Sequence, residues 1–219
     1  MRDVSPEDIT RNPDAFAERI VLDSGEQFLF RPLKEEDSAI LGTYFLSLSG
    51  NTRKMFGPHP FTREQAQILC EQIDYAKVIR LIATNERDQI VAYFILRLKL
   101  NEDDENRYRS RGILSDLDST CSIAPSIADH HQNRGLGTVL MGRALALGWR
   151  LGQTQAILQG GVRADNARGL HFYPKCGFRE VGSFCTTADS FDMVLDLAEA
   201  SVIQESREFL VGVLESDAQ

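Results

Sequence analysis

Apolar residues recur along the chain in two rhythms. Leu136, Leu140, Ala144, Leu147 and Leu151 fall three or four positions apart, which lays one stripe along a helix. Residues 78–83 and 90–100 are instead short apolar runs with the composition of strands. Turn residues punctuate the rest. A helix is predicted within 5–19, interrupted at Asn12-Pro13. Strands over 19–22 and 27–31 flank Asp23-Ser24-Gly25-Glu26 and read as a hairpin. Pro32 ends the second strand, and Glu35-Glu36-Asp37 open a helix to about Leu48, with acids at its positive end. Residues 51–60 read as loop, broken most strongly at Gly57-Pro58-His59-Pro60. Thr62, with Gln65 three residues on, starts a helix to about Ala76. Strands over 78–83 and 90–100 turn at 85–88. The polar stretch 101–119 is a surface excursion or a mobile loop. Then come a strand over 119–128, a helix over 138–151, a strand over 155–162 and a helix over 165–176, which Gly177 stops. Strands over 178–184 and 191–197 follow, and residues 198–214 again have helical spacing. No repeat and no linker interrupts this order, so one domain is expected.

Composition narrows the class. The 219 residues are 42% hydrophobic and 26% charged, as in soluble globular domains. No apolar run approaches the ~20 residues of a membrane span. The first eight residues lack a secretory apolar stretch, so a cytoplasmic location is expected. A net charge of −8 argues against nucleic acid and suits an amine-bearing partner, although solubility alone would account for it. Cys70, Cys121, Cys176 and Cys185 form no Cys-x-x-Cys pair. They are expected as small buried hydrophobes, with no metal site.

The chemistry concentrates in Ile127-Ala128-Asp129-His130-His131-Gln132-Asn133-Arg134-Gly135-Leu136-Gly137-Thr138. It follows a strand and opens the amphipathic helix. Two glycines allow a tight turn with outward N–H groups, and the helix start adds unpaired N–H groups and a positive dipole end. That makes an anion site able to hold a pyrophosphate, to which Arg134 can add a charged donor. A P-loop would need Gly-Lys-Ser/Thr, and a dinucleotide fingerprint a third small residue where Leu140 stands.

A second stretch runs Asp165-Asn166-Ala167-Arg168-Gly169-Leu170-His171-Phe172-Tyr173-Pro174-Lys175-Cys176-Gly177-Phe178. Together the two resemble the GNAT acetyltransferases. Gln132, Gly135 and Gly137 match that family's Gln/Arg-x-x-Gly-x-Gly/Ala. Asn166, Gly169, Phe172, Tyr173, Gly177 and Phe178 match its second motif, about thirty residues on. The resemblance spans roughly 26–197 and implies an α/β (α+β) fold. Its central sheet would be mixed, mostly antiparallel and twisted, of six to seven strands, splayed at the cofactor site with helices on both faces. Residues 1–25 would be an N-terminal helix and hairpin extension, 26–197 the acetyl-CoA-binding domain, and 198–219 a helical tail able to form a homodimer.

The resemblance also implies roles. Gln132, Asn133, Arg134, Gly135, Leu136, Gly137 and Thr138 would wrap the pyrophosphate of acetyl-CoA. Near Ser126 and Ile127 the strand would splay at a bulge, freeing N–H groups for the pantetheine arm and the thioester carbonyl. Pro125 fits this independently, since proline in a strand marks an edge or a bulge. Asn166 would contact the cofactor, and Tyr173 would be the general acid for the departing thiolate. The acceptor, an amine on a small molecule or on a protein lysine or N-terminus, would meet roughly residues 45–76 and 185–190. Tyr44, Phe45, Phe56, His59 and Phe61 make the first of these aromatic, as a cleft lining or as core. The hairpin, Glu35-Glu36-Asp37, Leu48-Ser49 and Met55-Phe56 faintly resemble bacterial protein-lysine acetyltransferases. His130 and His131 are adjacent and point apart, so they do not chelate one ion, and each can be solvated or a base. Residues 120–128 hold no carboxylate; Asp116 and Asp118 lie just before them, so the base stays unassigned. A non-catalytic acyl-CoA sensor would keep the loop and not need Tyr173.

Overall fold

The computed structural model describes residues 3–113 and 116–199. The helical tail expected beyond Leu197, apart from a turn at its first two residues, lies outside them. Local chemistry sets each element. Helix α1 (Pro6–Arg11) starts at Ser5, whose hydroxyl accepts from the Asp8 N–H while Asp8 accepts from the Ser5 N–H. It stops at Asn12-Pro13, where a single 3₁₀ turn follows. Strands β1 (Glu18–Val21) and β2 (Gln27–Pro32) form the expected hairpin. A 3₁₀ turn over Glu35–Asp37 leads into α2 (Ser38–Ser47). The expected loop after residue 50 is instead first a helical turn, α3 (Gly50–Lys54), because the Ser49 hydroxyl caps the Thr52 N–H at 3.2 Å. Thr62 caps α4 (Arg63–Glu71) through Gln65, as its sequence indicates. Then come β3 (Val78–Thr84), β4 (Ile90–Arg97), α5 (Glu102–Ser110), β5 (Thr120–Ile127), α6 (Leu136–Arg150), β6 (Gln155–Leu158), β7 (Val162–Arg163), α7 (Ala167–Lys175), β8 (Arg179–Cys185) and β9 (Asp189–Asp196).

The sheet holds nine strands among the described residues, in the order β1-β2-β3-β4-β5-β6-β9-β7, with β8 on the other edge of β9. That exceeds the six to seven expected for two reasons. The first hairpin continues the sheet through β2 and β3. The expected strand over 155–162 is cut into β6 and β7 by Gly160 and Gly161, at φ 72° and 70°. Among the described residues only β5 and β6 run parallel, and every other pairing is antiparallel.

Both faces are covered. One carries α6, whose Leu136, Leu140, Met141, Ala144 and Leu145 are fully buried with Phe94, Leu96 and Ile123. Val4, Ile9, Ile20 and Leu22 belong to this same cluster. The other face carries α2 and α4 over Ile82, Tyr93 and Ile95, and α5 over Ile157 and Val194.

Helix α5 replaces the expected excursion, and a paired charge cluster docks it. Asn101 caps it through the Asp104 N–H at 2.8 Å. Asp104 and Asp192 are fully buried. Arg107 hydrogen-bonds both carboxylates, Arg111 bonds Asp192, and the Gly160 N–H donates to Asp104 at 3.1 Å. The Arg107 guanidinium also lies 4.0 Å from the centre of the Phe184 ring. A buried charge survives only when paired and hydrogen-bonded. Asp192→Ala would leave Arg111 without its carboxylate and Arg107 with Asp104 alone, and it is expected to cost about 3–5 kcal/mol in urea unfolding. A loss below ~1 kcal/mol would show that α5 is held by its apolar contacts instead.

Candidate active site

The site begins where two parallel strands part. β5 and β6 stay in register from Thr120↔Gln155 to Ile123↔Leu158. There β6 ends, while β5 runs on to Ile127 against β4 alone. Backbone amides alternate sides along a strand. The Ala128 N–H donates to the Val91 carbonyl of β4 at 2.8 Å. By that parity the Ser126 N–H also faces β4, opposite Tyr93, and the Ile127 N–H faces the gap. Pro125 falls on the gap side too, so its missing N–H costs no ladder bond. The register runs unbroken across Pro125, so the splay arises from the end of β6 and needs no bulge. Ser126 therefore presents its side chain, bonded to the buried Tyr44 hydroxyl at 2.9 Å, and not its amide.

The loop after β5 turns back through two left-handed residues, Asn133 at φ 60° and Gly135 at φ 85°. Asparagine tolerates that region and glycine is free in it. Gly135 is the N-cap of α6 and offers no side-chain cap. Among the described residues no backbone acceptor is found for the N–H groups of residues 133–137. Five backbone donors without a backbone acceptor thus sit at the positive end of α6, with Asn133, Gly135 and Gly137 in the lining of the cavity beside the gap, an arrangement that can hold a pyrophosphate.

Two side chains brace this loop. Gln132 Nε2 donates to the Ile127 carbonyl at 2.9 Å and to Thr52 Oγ1 at 3.2 Å, and its Oε1 accepts from Arg168. Gln132 therefore ties the loop to β5, α3 and α7. Asp129 accepts from the Ser49 N–H at 2.9 Å, the Ser49 hydroxyl at 2.6 Å and the Thr52 hydroxyl at 2.7 Å. Burial opposes its charge, yet these hydrogen bonds outweigh it and hold Asp129 below the ordinary carboxylate value. The sequence drew attention to the histidines beside it. His130 is exposed, and His131 packs edge-on to Phe28 at 5.6 Å, burial lowering its affinity for a proton. Asp129 was missed because its partners lie 77 and 80 residues away.

Helix α7 supplies the opposite wall. Asn166 is its N-cap, with Oδ1 accepting from the Gly169 N–H at 2.9 Å. A Cβ on Gly169 would sit 2.6 Å from Asn166 Nδ2, so the cap requires glycine there. The Asn166 amide nitrogen stays available to donate to a ligand. Tyr173 lies two turns on from Asn166; burial pushes its hydroxyl well above the ordinary phenol range, so it stays protonated.

Two cavities meet here. The first, of about 270 Å³, is lined by Ser126, Ile127, Gln132, Asn133, Gly135, Gly137, Thr138, Asn166 and Tyr173, among others. Of the ten expected cofactor residues only Arg134 and Leu136 fall outside its lining. The Arg134 guanidinium turns towards Glu26, 3.8 Å away, and the Leu136 side chain is core. Their backbone N–H groups remain part of the loop. The second cavity, of about 480 Å³, runs between residues 54–58, α5 and residues 186–190. Tyr173, Pro125, Met55 and Phe56 line both. Of the aromatic residues singled out, Phe56 reaches the cavities. Phe45 and Phe61 are core, and His59 Nε2 meets the Tyr93 hydroxyl at 3.1 Å. Asp116 and Asp118 lie away from both cavities, Asp116 accepting from the Ser119 hydroxyl. Cys70, Cys121 and Cys176 are buried, and Cys185 is exposed. Among the described residues no cluster of three or more His, Cys, Asp or Glu could hold a metal, and no helix is long and apolar enough to cross a membrane.

Comparison with known proteins gives this arrangement a family. A sequence model described as the acetyltransferase (GNAT) family matches residues 51–178, more than half of the chain. The chain belongs to the GNAT acetyltransferase family. Solved structures share the fold at low sequence identity. The GNAT domain of S. lividans PAT superposes with a TM-score of 0.68 at 16% identity, covering 84% of this chain and 98% of that one. Mycobacterium smegmatis RimJ in complex with CoA-disulfide gives 0.63 at 12% identity, covering 84% and 88%. A spermidine N-acetyltransferase SpeG chimera from Vibrio cholerae and hSSAT gives 0.59 at 18% identity, covering 78% and 96%. No curated protein matches the chain in sequence.

The Asp129 clamp makes a pH prediction. Its folded pKa lies below the unfolded value of about 3.9. Its stabilisation is therefore complete above the unfolded pKa and is lost as pH falls through the folded one. The stability gap between wild type and Asp129→Asn should be constant above about pH 5 and close below about pH 4. A gap independent of pH would mean that the carboxylate's charge is not what holds α3.

Proposed function

We propose that the protein is an acetyl-CoA-dependent N-acetyltransferase that moves the acetyl group to a primary amine by direct attack in a ternary complex. The observation that carries this reading is the junction of the two cavities at Tyr173 and Pro125, beside the Ile127 N–H. Family membership supports acyl transfer, and RimJ with CoA-disulfide and the spermidine N-acetyltransferase chimera support the donor and the acceptor class. The open N–H groups of Asn133 to Gly137 fit a pyrophosphate. The Asn166 amide nitrogen lies across the same cavity. Acetyl-CoA supplies the thioester electrophile when bound. The amine would enter through the second cavity.

Each residue then has a task. The Ile127 N–H, free of any strand partner, offers a fixed donor to the thioester oxygen as charge develops there. The Tyr173 hydroxyl would give its proton to the departing thiolate, and the proton that the attacking amine loses would restore it through solvent. Its raised pKa makes it a weak acid, so alignment of the two reactants carries more of the rate. A sensor that binds the acyl-CoA without turning it over would not require a second cavity at Tyr173. The protein is read as a cytoplasmic enzyme, and a dimer through the tail would not alter this site.

Tyr173→Phe should lower turnover tenfold or more, by about 1.4 kcal/mol in barrier, with acetyl-CoA affinity unchanged by isothermal titration. Full turnover across the pH range would remove Tyr173 as the acid. Gly135→Asp forces a side chain into the left-handed region and puts a negative charge at the loop. It should weaken acetyl-CoA binding about a hundredfold, and wild-type affinity in that variant would displace the pyrophosphate from this loop.

A further inference from the structure

The first cavity lies between two walls that are joined across it. One wall is α3 with the loop after β5, where Thr52, Met55 and Phe56 line the cavity beside Gln132. The other is the start of α7, where Asn166 and Arg168 line it. Two polar contacts cross from wall to wall. Lys54 Nζ, at the end of α3, meets Asp165 Oδ2 at 2.9 Å, and Arg168 donates to Gln132 Oε1.

The walls are unequally anchored. At the start of α3, Asp129 accepts from Ser49 and Thr52. Just past its end, Phe56 stacks on the buried Phe61 with 4.4 Å between ring centres and meets His59 edge-on. That wall is therefore fixed on both sides. In the other wall Ala164, Asp165, Ala167 and Arg168 are exposed and Asn166 is half-buried. Gly169 is the only buried residue of α7. The chain is held again on either side of this stretch. The Ala164 N–H donates to the Asp189 carbonyl at 2.8 Å, and Cys176 and Phe178 are buried beyond the helix end. Residues 165–168 thus form a short exposed arch between anchored points, and segments with so little buried surface open at low free-energy cost.

Asp165 is set for its partner. Arg163 grips it at both oxygens, Nε to Oδ1 at 2.8 Å and Nη2 to Oδ2 at 2.9 Å. Arg163 first and Lys54 next hold its carboxyl well below the ordinary carboxylate range. With the carboxylate already oriented, closing the pair orders only the lysine side chain. The Lys54 and Asp165 side chains are 57% and 45% exposed, so water and salt keep the pair weak. A weak tie can hold a wall closed without locking it.

We propose that residues 165–168 are a lid over the donor cavity and that the Lys54–Asp165 pair is its latch, so that acetyl-CoA enters and coenzyme A leaves while the latch is open. Closing the lid brings Asn166 and Arg168 to the donor, and opening it withdraws them. This rests on reading the first cavity as the donor site. Lys54 and Asp165 are then positioning residues, acting on exchange and not on the reacting atoms. A latch that closes the lid both with and without donor predicts a specific signature. Breaking it raises the open fraction of both forms alike, so association and release quicken together while affinity holds.

The test is stopped-flow measurement of donor exchange in the full-length protein. The probe is coenzyme A carrying an environment-sensitive dye on its sulfur, displaced by unlabelled acetyl-CoA. Lys54 and Arg163 also line the second cavity, so the donor is used alone, without an amine. Lys54→Met and Asp165→Asn should each raise both the association and the release rate about threefold, with Kd within twofold of wild type. The double variant should be no faster than either single one, because the same contact is broken in all three. One substitution removes a positive charge and the other a negative one. Simple attraction of the anionic donor would therefore move their association rates in opposite directions. Opposite directions, unaltered rates, or faster release with a matching loss of affinity would overturn the latch. Additive effects in the double variant would do the same, since the two residues would then act independently. A wild-type protein that binds neither the probe nor acetyl-CoA in isothermal titration would remove the donor reading and the lid with it, an outcome distinct from binding at unaltered rates.

Discussion

One interrupted pairing shapes this molecule. β5 and β6 hold together for four residue pairs and then separate, because β6 ends at Leu158 and the chain swings away through Gly160 and Gly161. Had β6 continued, the Ile127 N–H would be spent on a sheet partner and no gap would open between the strands. The break costs little on the β5 side. Pro125 has no N–H to lose there, and the Ile127 carbonyl is satisfied by Gln132. The energy that holds the two halves in place comes from elsewhere, from α6 on one face and from α2, α4 and α5 on the other.

The loop and the two walls depend on that gap. Asp129 and Gln132 fasten the loop to α3, β5 and α7, so Asn133, Gly135 and Gly137 line a space whose other sides are already fixed. Pre-aimed donors need no reorganisation when charge arrives, which is why rigid bracing by side chains away from the reacting atoms matters for an acyl transfer site. The buried charge cluster at α5 does comparable work for the second cavity, fixing the wall opposite residues 54–58.

Much of this was legible in the sequence, because its cues are local. The stripe from Leu136 to Leu151 indicates α6, Thr62 and Gln65 indicate the start of α4, and the glycine pair beside Gln132 indicates a tight turn, which the chain makes through Asn133 and Gly135. What was hidden is nonlocal. Nothing near Asp129 in sequence indicates Ser49 and Thr52, and nothing near Asp104 indicates Asp192. Ser126 was read as an amide donor because the side to which a strand residue turns its N–H depends on the register with β4, which the sequence pattern does not fix. The stretch 155–162 reads as one strand in sequence because two glycines mark equally a bend within a strand and a break between two.

In the proposed reaction coenzyme A would lie with its pyrophosphate on the N–H groups of residues 133–137 and its pantetheine arm along the gap beside Ile127. Amide chemical shifts, followed in ¹⁵N-labelled protein as coenzyme A is added, test it at the atoms concerned. The largest shifts are expected at Asn133 through Gly137 and at Ile127, with Ser126 moving less because its N–H stays on Tyr93. Unmoved amides in that loop, with the largest changes elsewhere on the sheet, would contradict it.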